Sequence, residues 1–335
     1  MRIGYAAAAI ICCVALSGCA GGASPTPQTQ RTVFVMDTAA SVKGTEADVK
    51  VAVDTLGELD GLFDRYDPES DIYAINKRLD NADISDYTAE FIRQAARLGG
   101  IYGDKVSILA GDITDVWNIS GNDPVVPSDK AIAKALESYR NASFSLDTLS
   151  FADENGSIDP GCAAKGYALD KIEEKLGEDC CIVSLTSSIL LHGEKQDGER
   201  FSVSLRDPSN AEKSLGKIYT GECFLSTSGG YERFFEVGGK RYIHIFDLSS
   251  GTPCETDLTS VTVISGINTE SGGILSDFLS TLIFIEGTEG LGKYMSDPQL
   301  GIVAVSDQNV IYTSVNVDLT LAEDCEYTLE VWENG

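Results

Sequence analysis

Apolar residues recur every three or four positions between Glu46 and Asp64, at Val49, Val53, Leu56, Leu59, Leu62 and Phe63. That spacing is one stripe of a helix. Asp67-Pro68-Glu69-Ser70 then reads as a loop and helix start, with a short helix through Ile72 and Ile75. Ser85 is placed to cap a helix through Phe91, Ala95 and Leu98, ended by Gly99-Gly100. Ser128 caps another from about Asp129 to Tyr139. Thr32 to Met36 reads as a strand. Farther on, strand patterns take over: Ser143–Phe151 and Ser157–Asp159 around an Asp-Glu-Asn-Gly turn, Cys181–Leu185, Ile189–His192, Phe201–Leu205 and Ile218–Ser226. Tyr231–Val237 and Lys240–Phe246 flank Gly238-Gly239, a two-residue hairpin turn. Gly161–Leu176 and Gly272–Phe284 read as helices, with a shorter one over Glu289–Met295. Val261–Ile264 is a strand, and Ile302–Val305 with Val310–Thr313 forms a closing hairpin. Long helices mixed with antiparallel hairpins predict an α+β fold.

The N-terminal pattern differs. Arg2 precedes an apolar run from Ile3 to Leu16, then Ser17-Gly18. This is the plan of a secretory signal over residues 1–18, too short for a spanning helix. Leu16-Ser17-Gly18-Cys19 looks like a bacterial lipobox, in which the Cys becomes the lipidated first residue. The expectation is a protein anchored by lipid at Cys19 to the cell membrane, facing outside the cytoplasm. Residues 19–31, rich in Gly, Ser, Pro, Thr and Gln, read as a flexible tether. Residues 32–335 form the folded domain.

Composition narrows the function. The 335 residues allow one large domain or two fused halves. With 25 Lys+Arg against 52 Asp+Glu, the net charge is −27, which argues against a nucleic-acid binder. Two histidines, His192 and His244, exclude a multi-histidine metal centre. Six cysteines lie beyond the signal, and no C-x-x-C pair exists among them, so zinc-ribbon and thioredoxin readings fail.

Three places carry candidate chemistry. Asp159-Pro160-Gly161-Cys162-Ala163-Ala164-Lys165 leads a strand end into a helix start, where free N–H groups and Lys165 favour phosphate oxygens. A plain strand–turn–helix joint would look the same. Asp277 and Thr281 are spaced i, i+4 on one helix face, a hard oxygen set suited to Mg²⁺ when joined by a carbonyl. A solvated polar pair would also fit. His244 shares a strand face with Phe246, with Asp247 at the strand end. His244 is a candidate base, and His192 reads as structural.

The order of these pieces is specific. Met36-Asp37-Thr38 comes first, then Leu62 to Ser70 with Asn76, then Asp159 to Asp170. Ser204 to Pro208, Ser226 to Phe235, His244 to Gly251, Ser260 to Val263, Asp277 to Thr281 and Tyr312 to Ser314 follow. Together, over Val33 to Ser314, they resemble the ApbE family of FAD:protein FMN transferases, often exported lipoproteins. The resemblance implies a T-fold-like α+β domain, FAD as substrate and Mg²⁺ as cofactor. It implies transfer of FMN to a Ser or Thr hydroxyl of an exported partner flavoprotein, with release of AMP. Acceptors in the family carry Asp-x-x-(Ser/Thr)-Gly-(Ala)-Thr or similar.

By position, Met36 and Asp159 contact the flavin nucleotide, with Lys165 near it. Val116-Trp117-Asn118 matches the flavin-site segment, and His244 lies against FAD. The Cys162 carbonyl, Asp277 and Thr281 hold Mg²⁺, with Ser280 nearby. His244, or Asp247 beside it, is the expected general base. The chain departs from the family in three places. Val106-Ser107-Ile108-Leu109 stands for Phe-Asp-x-Thr. Thr186-Ser187-Ser188 stands for Gly-Gly-Asn/Asp, and Leu248 replaces a Pro. The alternatives are an FAD pyrophosphatase, with water as acceptor, or a non-catalytic FAD-binding lipoprotein.

Overall fold

A computed structural model describes the backbone of residues 3–5 and residues 27–80, 82–121 and 124–332. The lipobox and Cys19 lie outside the described residues, as does nearly all of the signal segment. From the N-terminus, β1 (Ile3–Tyr5) is followed by the hairpin β2 (Thr29–Val35) and β3 (Thr38–Gly44). Four helices come next: α1 (Glu46–Phe63), α2 (Asp71–Asn76), α3 (Asp86–Tyr102) and α4 (Gly111–Trp117). Then come α5 (Asp129–Asn141), the small hairpin β4 (Phe144–Ser145) and β5 (Ser150–Phe151), and α6 (Ala164–Glu173). The central strands are β6 (Cys181–Ser184), β7 (Ser188–His192), β8 (Phe201–Asp207), β9 (Asn210–Thr220) and β10 (Cys223–Gly229). The hairpin β11 (Arg233–Val237) and β12 (Lys240–Ile243) precedes β13 (Phe246–Asp247), β14 (Thr252–Pro253) and β15 (Leu258–Gly266). The chain closes with α7 (Gly272–Gly290), α8 (Gly292–Met295), β16 (Leu300–Ser306), β17 (Val310–Ser314), β18 (Asp318–Leu321) and β19 (Thr328–Trp332).

A nine-stranded sheet organises the fold, in the order β19-β17-β16-β15-β10-β7-β6-β3-β2. Its pairs are antiparallel except β17 with β19. One face is covered by α1, α6 and α7. Leu56, Leu59, Phe91, Tyr167, Phe278 and Leu282 meet there in the main core with Val183 and Val263. The other face is covered by the three-stranded sheet β18-β9-β8. Phe201 and Val203 pack on Ile189 and Leu225, and Leu205 and Ile218 on Val303 and Val305. Strands roofed on both sides turn both faces inward, so every residue of β6, β7 and β16 is buried, Ser184, Ser188, His192 and Ser306 included.

Local chemistry sets the helix starts. Thr45, Ser70, Ser85 and Ser128 each accept a backbone N–H from three residues on, the N-cap bond. Several boundaries differ from the sequence reading. Thr29–Arg31, read as tether, already belongs to β2. The helix of Ser85 runs through Gly99-Gly100 to Tyr102, because its buried stripe from Phe91 to Leu98 fixes the turns before them. The Ser143–Phe151 segment folds on itself as β4–β5, and Ser157 instead bridges Ala110. The helix read from Gly161 begins at Ala164, after a 3₁₀ turn over Pro160–Cys162 and a break at Ala163 (φ −154°). The strand read as Ile218–Ser226 is two, with the chain reversing between Thr220 and Cys223. No helix among the described residues is long and apolar enough to cross a membrane.

Candidate active site

A cleft of about 300 Å³ opens where α1, the α6 start, β11–β12 and α7 converge. Its size suits a small-molecule site. Met36, Asn118, Asp159, Cys162, Lys165, His244 and Thr281 all line it, although they come from five separate parts of the chain. Long-range packing therefore collects what the sequence scatters. A second hollow of about 440 Å³, near Cys180 and His192, contains none of those residues. His192 sits with Nε2 2.6 Å from the Gly177 carbonyl, in keeping with a structural role.

One rim of the cleft is the turn joining β2 to β3. Val35 pairs with Thr38, so Met36 and Asp37 alone make the reversal, at φ +50° and +55°. Two left-handed central residues match the twist of a two-residue hairpin. The Met36 N–H donates to Asp60 Oδ1 at 2.7 Å, and Arg233 Nη2 donates to the Asp37 carbonyl at 3.2 Å. These bonds hold a conformation that neither side chain favours by itself.

A second wall follows α1. Arg65 donates to the Gly111 carbonyl (3.2 Å) and to Asp115 Oδ2 (3.0 Å), and lies 3.5 Å from Asp159 Oδ2. Tyr66 donates to Asp115 Oδ1 at 3.1 Å, and its ring stands 66% exposed over the cleft with the Arg65 guanidinium 5.4 Å from its centroid. Burial, with Asp115 alongside, pushes its phenol up to about 12. An aromatic ring fixed at its hydroxyl and backed by a guanidinium is a ready stacking surface for a planar ligand. The sequence reading quoted Tyr66 within a motif and gave it no role. Its Asp-Arg-Tyr-Asp setting, a lone aromatic among charges, was the available signal.

The third wall is the Asp159 turn and the helix pair behind it. Asp159 Oδ1 accepts the Gly161 N–H (2.9 Å), shaping the 3₁₀ turn. Lys165 Nζ donates to the Ser187 hydroxyl at 2.7 Å. Behind Lys165, Asp277 is buried. Its Oδ2 accepts the Gly166 N–H (2.9 Å) and its Oδ1 the Ser188 hydroxyl (3.3 Å). Burial raises its carboxyl, opposed by Lys165. Thr281 Oγ1 is 3.0 Å from the Ser228 hydroxyl. The departures at 186–188 now have a physical content: Ser187 and Ser188 present hydroxyls to Lys165 and Asp277. Thr186 takes the left-handed conformation (φ +66°) in which glycine is favoured.

The fourth wall carries His244. It is not in a strand: β12 ends at Ile243. Its Nδ1 lies 3.2 Å from the Arg233 carbonyl, so the Nδ1–H tautomer leaves Nε2 as an acceptor. Burial, then the Arg233 and Lys165 charges, pushes the imidazole down to about 3. It is neutral at physiological pH. Glu232, beside it in the cleft, has its carboxyl raised by burial.

Three expectations need correction. Val116 and Trp117 do not line the cleft, and of that segment only Asn118 does. Trp117 instead donates its indole N–H to the Gly251 carbonyl (2.8 Å) and packs on Phe246 and Tyr242. Asp247 turns away to receive the Ser249 N–H and the Ser249 and Ser250 hydroxyls. Despite partial burial, those bonds hold its carboxyl low, and it does not line the cleft, so it is no base there. Ser280 is fully buried and bonded to the Asp277 carbonyl (2.9 Å) and the Ser228 hydroxyl (2.9 Å), behind the wall. Burial lifts the Cys162 thiol well above its ordinary range, and the expected role there belongs to its backbone carbonyl, not its sulfur.

Comparison with known proteins supplies a context for this geometry. The profile of the ApbE family matches residues 36–305. The FAD:protein FMN transferase of Vibrio cholerae serotype O1 is 25% identical over 272 residues, covering 77% of this chain and 80% of that protein. The FAD:protein FMN transferase of Treponema pallidum is 31% identical over 216 residues, 58% of this chain and 57% of that protein. The crystal structure of the ApbE protein of Thermotoga maritima superposes with a TM-score of 0.74 at 23% identity, over 89% of this chain and 97% of that one. The flavin transferase ApbE from Vibrio cholerae gives 0.70 at 19% identity, over 90% and 99%. These superpositions bear out the α+β fold.

Proposed function

The chain belongs to the ApbE family, and from that membership we propose that this enzyme, a flavin transferase, moves FMN from FAD onto a Ser or Thr hydroxyl of a partner flavoprotein and releases AMP. The observation that carries the reading is the convergence of Lys165, Thr281 and Cys162 on one end of the cleft, backed by buried Asp277. Those groups suit a pyrophosphate and a hard cation. The available donors are one carboxylate, one hydroxyl and one carbonyl, all oxygen, as Mg²⁺ requires. Asp277 accepts from the Gly166 and Lys165 backbone N–H groups and the Ser188 hydroxyl, which leaves one of its about four acceptor sites for an ion. Asp277, Thr281 and the Cys162 carbonyl would hold the ion. When bound, it supplies charge neutralisation at the pyrophosphate.

The rest of the chemistry belongs to this chain and its substrates. Lys165 binds phosphate oxygens and offsets charge that develops on them. Tyr66 and Asn118 face the planar or sugar parts of the nucleotide. The acceptor hydroxyl oxygen forms a new bond to the FMN phosphorus. The bond from that phosphorus to the AMP oxygen breaks, and AMP leaves. The hydroxyl proton passes to Nε2 of neutral His244, whose orientation the Arg233 carbonyl fixes. Entry of an anionic pyrophosphate offsets the Arg233 and Lys165 charges that suppress its basicity, so His244 becomes a better proton acceptor as the substrate binds.

The test is incubation with FAD and Mg²⁺, with AMP measured by chromatography, with and without an acceptor protein. Acceptor-dependent AMP with flavin covalently on the acceptor supports transfer. AMP with free FMN alone supports the pyrophosphatase alternative, and FAD binding without AMP the non-catalytic one. Asp277→Ala removes the single carboxylate and should abolish AMP release at ordinary Mg²⁺. His244→Asn should keep FAD binding and lose ~10²–10⁴-fold in rate. An Asp277→Ala enzyme at full speed would refute this metal assignment.

A further inference from the structure

The sheet that carries the cleft ends on an unguarded strand. β2 is the terminal strand of the nine-stranded sheet, and among the described residues only β3 pairs with it. Its seven residues keep one register with β3 from Thr29 to Val35, without a bulge. Val35 and Thr38 close a two-residue turn, so they exchange their backbone bonds. Alternation along the antiparallel ladder then leaves Phe34, Thr32 and Gln30 with N–H and C=O directed to the open side. Proteins ordinarily blunt such an edge with Pro, bulges or several charges. Here the strand contains no Pro, and Arg31 is its single charge, paired with Glu46. Phe34 stands 76% exposed, the largest exposure among the large apolar side chains described.

The position of this edge gives it a meaning. Two residues past Phe34 comes Met36, on the rim of the cleft. A chain segment lying along β2 would run straight to that rim. The transferase reading, on which this inference rests, requires a protein segment to bring a hydroxyl there. We propose that β2 is the docking edge for the acceptor: an extended, hydroxyl-bearing segment of the partner flavoprotein adds to the sheet beside Gln30, Thr32 and Phe34. Its side chains cover Phe34, and its Ser or Thr passes Met36 into the cleft. Main-chain bonds supply most of the recognition, as in other cases of strand addition.

The sharp test is Thr32→Pro. The lost N–H faces the open side, so proline removes an edge donor while sparing the ladder to β3. Phe34→Ser is the second variant, removing the exposed ring at a surface position. The probe is a carrier protein with an exposed Asp-x-x-Thr-Gly-Ala-Thr loop. Covalent flavin on the carrier is read by in-gel fluorescence after denaturation. FAD affinity is read by quenching of flavin fluorescence, and folding by thermal melting. Each variant should label the carrier about five- to tenfold more slowly, mainly through KM for the carrier, the size expected for one lost hydrogen bond or one uncovered ring. FAD affinity and melting should match wild type. Equal labelling rates in wild type and both variants would overturn the docking edge alone. A wild-type enzyme that forms neither AMP nor labelled carrier would overturn the transferase reading, and this inference with it. A wild-type dimer made monomeric by Thr32→Pro would assign the edge to a second copy and overturn the proposal as well.

Discussion

Gly166→Ala perturbs the contact on which the cleft rests. Helices α6 and α7 cross at Gly166 and Gly273 with no side chain between them. A Cβ on Gly166 would lie 2.2 Å from the Gly273 carbonyl oxygen and 2.7 Å from the Asp277 Cβ. To reach ordinary contact the helices must part by roughly 1 Å. The obstacle is backbone on a packed helix, not the end of a flexible side chain, so it cannot swing aside. Two effects oppose each other. Alanine inside a helix gains ~0.5–1 kcal/mol over glycine. Overpacking costs about 1–3 kcal/mol, or more where backbone must move. The clash wins, with a net loss of about 1–2 kcal/mol and a fall of about 2–5 °C in Tm for a chain of this size.

Function should suffer far more than stability. The Gly166 N–H is the donor to Asp277 Oδ2. Parting the helices loosens that bond and shifts Asp277 against Thr281 and the Cys162 carbonyl. A displacement near 1 Å at a reacting centre costs on the order of 10²-fold in rate. The assay pairs thermal melting with AMP release from FAD at saturating Mg²⁺. The expected result is a folded enzyme, a few degrees less stable and about a hundredfold slower. A variant with wild-type Tm and AMP release within threefold would refute the claim that this crossing positions Asp277.

Three further outcomes concern Asp170 and Cys19. Asp170 Oδ1 and Oδ2 accept the Gly273 and Ile274 N–H groups at 2.7 and 2.8 Å, so Asp170→Ala should cost about 2–4 kcal/mol by leaving both unpaired, seen in chemical denaturation. Burial raises this carboxyl to about 7, so the native state holds its proton more tightly than the unfolded chain; its contribution should strengthen as pH falls from 7 toward 4, and Asp170→Asn should flatten that part of the stability profile. We also propose that the chain is anchored by lipid at Cys19 outside the cytoplasm; wild type should then sediment with membranes and Cys19→Ala should not, and wholly soluble wild type would refute the anchor.

Periodicity made the long elements legible, and chain distance hid the rest. The α1 stripe and the Asp277–Thr281 spacing are local, and both could be read from residues three and four apart. The β2–β3 turn was hidden because Asp37 is its one turn-forming residue and Met36 is an unusual partner for it; Asp60 and Arg233, far away in sequence, hold it. The strand after it, Thr-Ala-Ala-Ser-Val-Lys-Gly, lacks the bulky residues that mark strands, and it becomes one through its neighbours in the sheet. Helix α4 is seven residues long, too short for a period to show. Within the site, Asp247 was read at a strand end beside His244, and a serine-rich turn that the spacing did not show holds its carboxylate elsewhere. Ser187 and Ser188 gained their roles only when β7 came to lie against α6 and α7.

The cleft gathers Arg65, Lys105, Lys165 and Arg233 among five carboxyl groups, so its charge is set by where each cation stands. A net charge of −27 repels a pyrophosphate at long range. Within a Debye length, however, the placement of individual cations decides the outcome. Arg65 is already engaged by Asp115 and Asp159. Lys165 makes its hydrogen bond to the neutral Ser187 hydroxyl, so its charge is not neutralised by that contact. At His244, besides burial, Arg233 and Lys165 drive protonation down, with the Arg233 carbonyl and Asp159 opposing them. An acidic chain thus sets Lys165 and Arg233 on the wall beside His244, where an anion would meet them first. The buried Asp277 behind Lys165 would weaken that attraction unless a cation joined it. With a divalent ion at Asp277, as proposed, the phosphate at Lys165 and the ion would each offset charge for the other, so nucleotide and metal should bind with mutual assistance rather than independently.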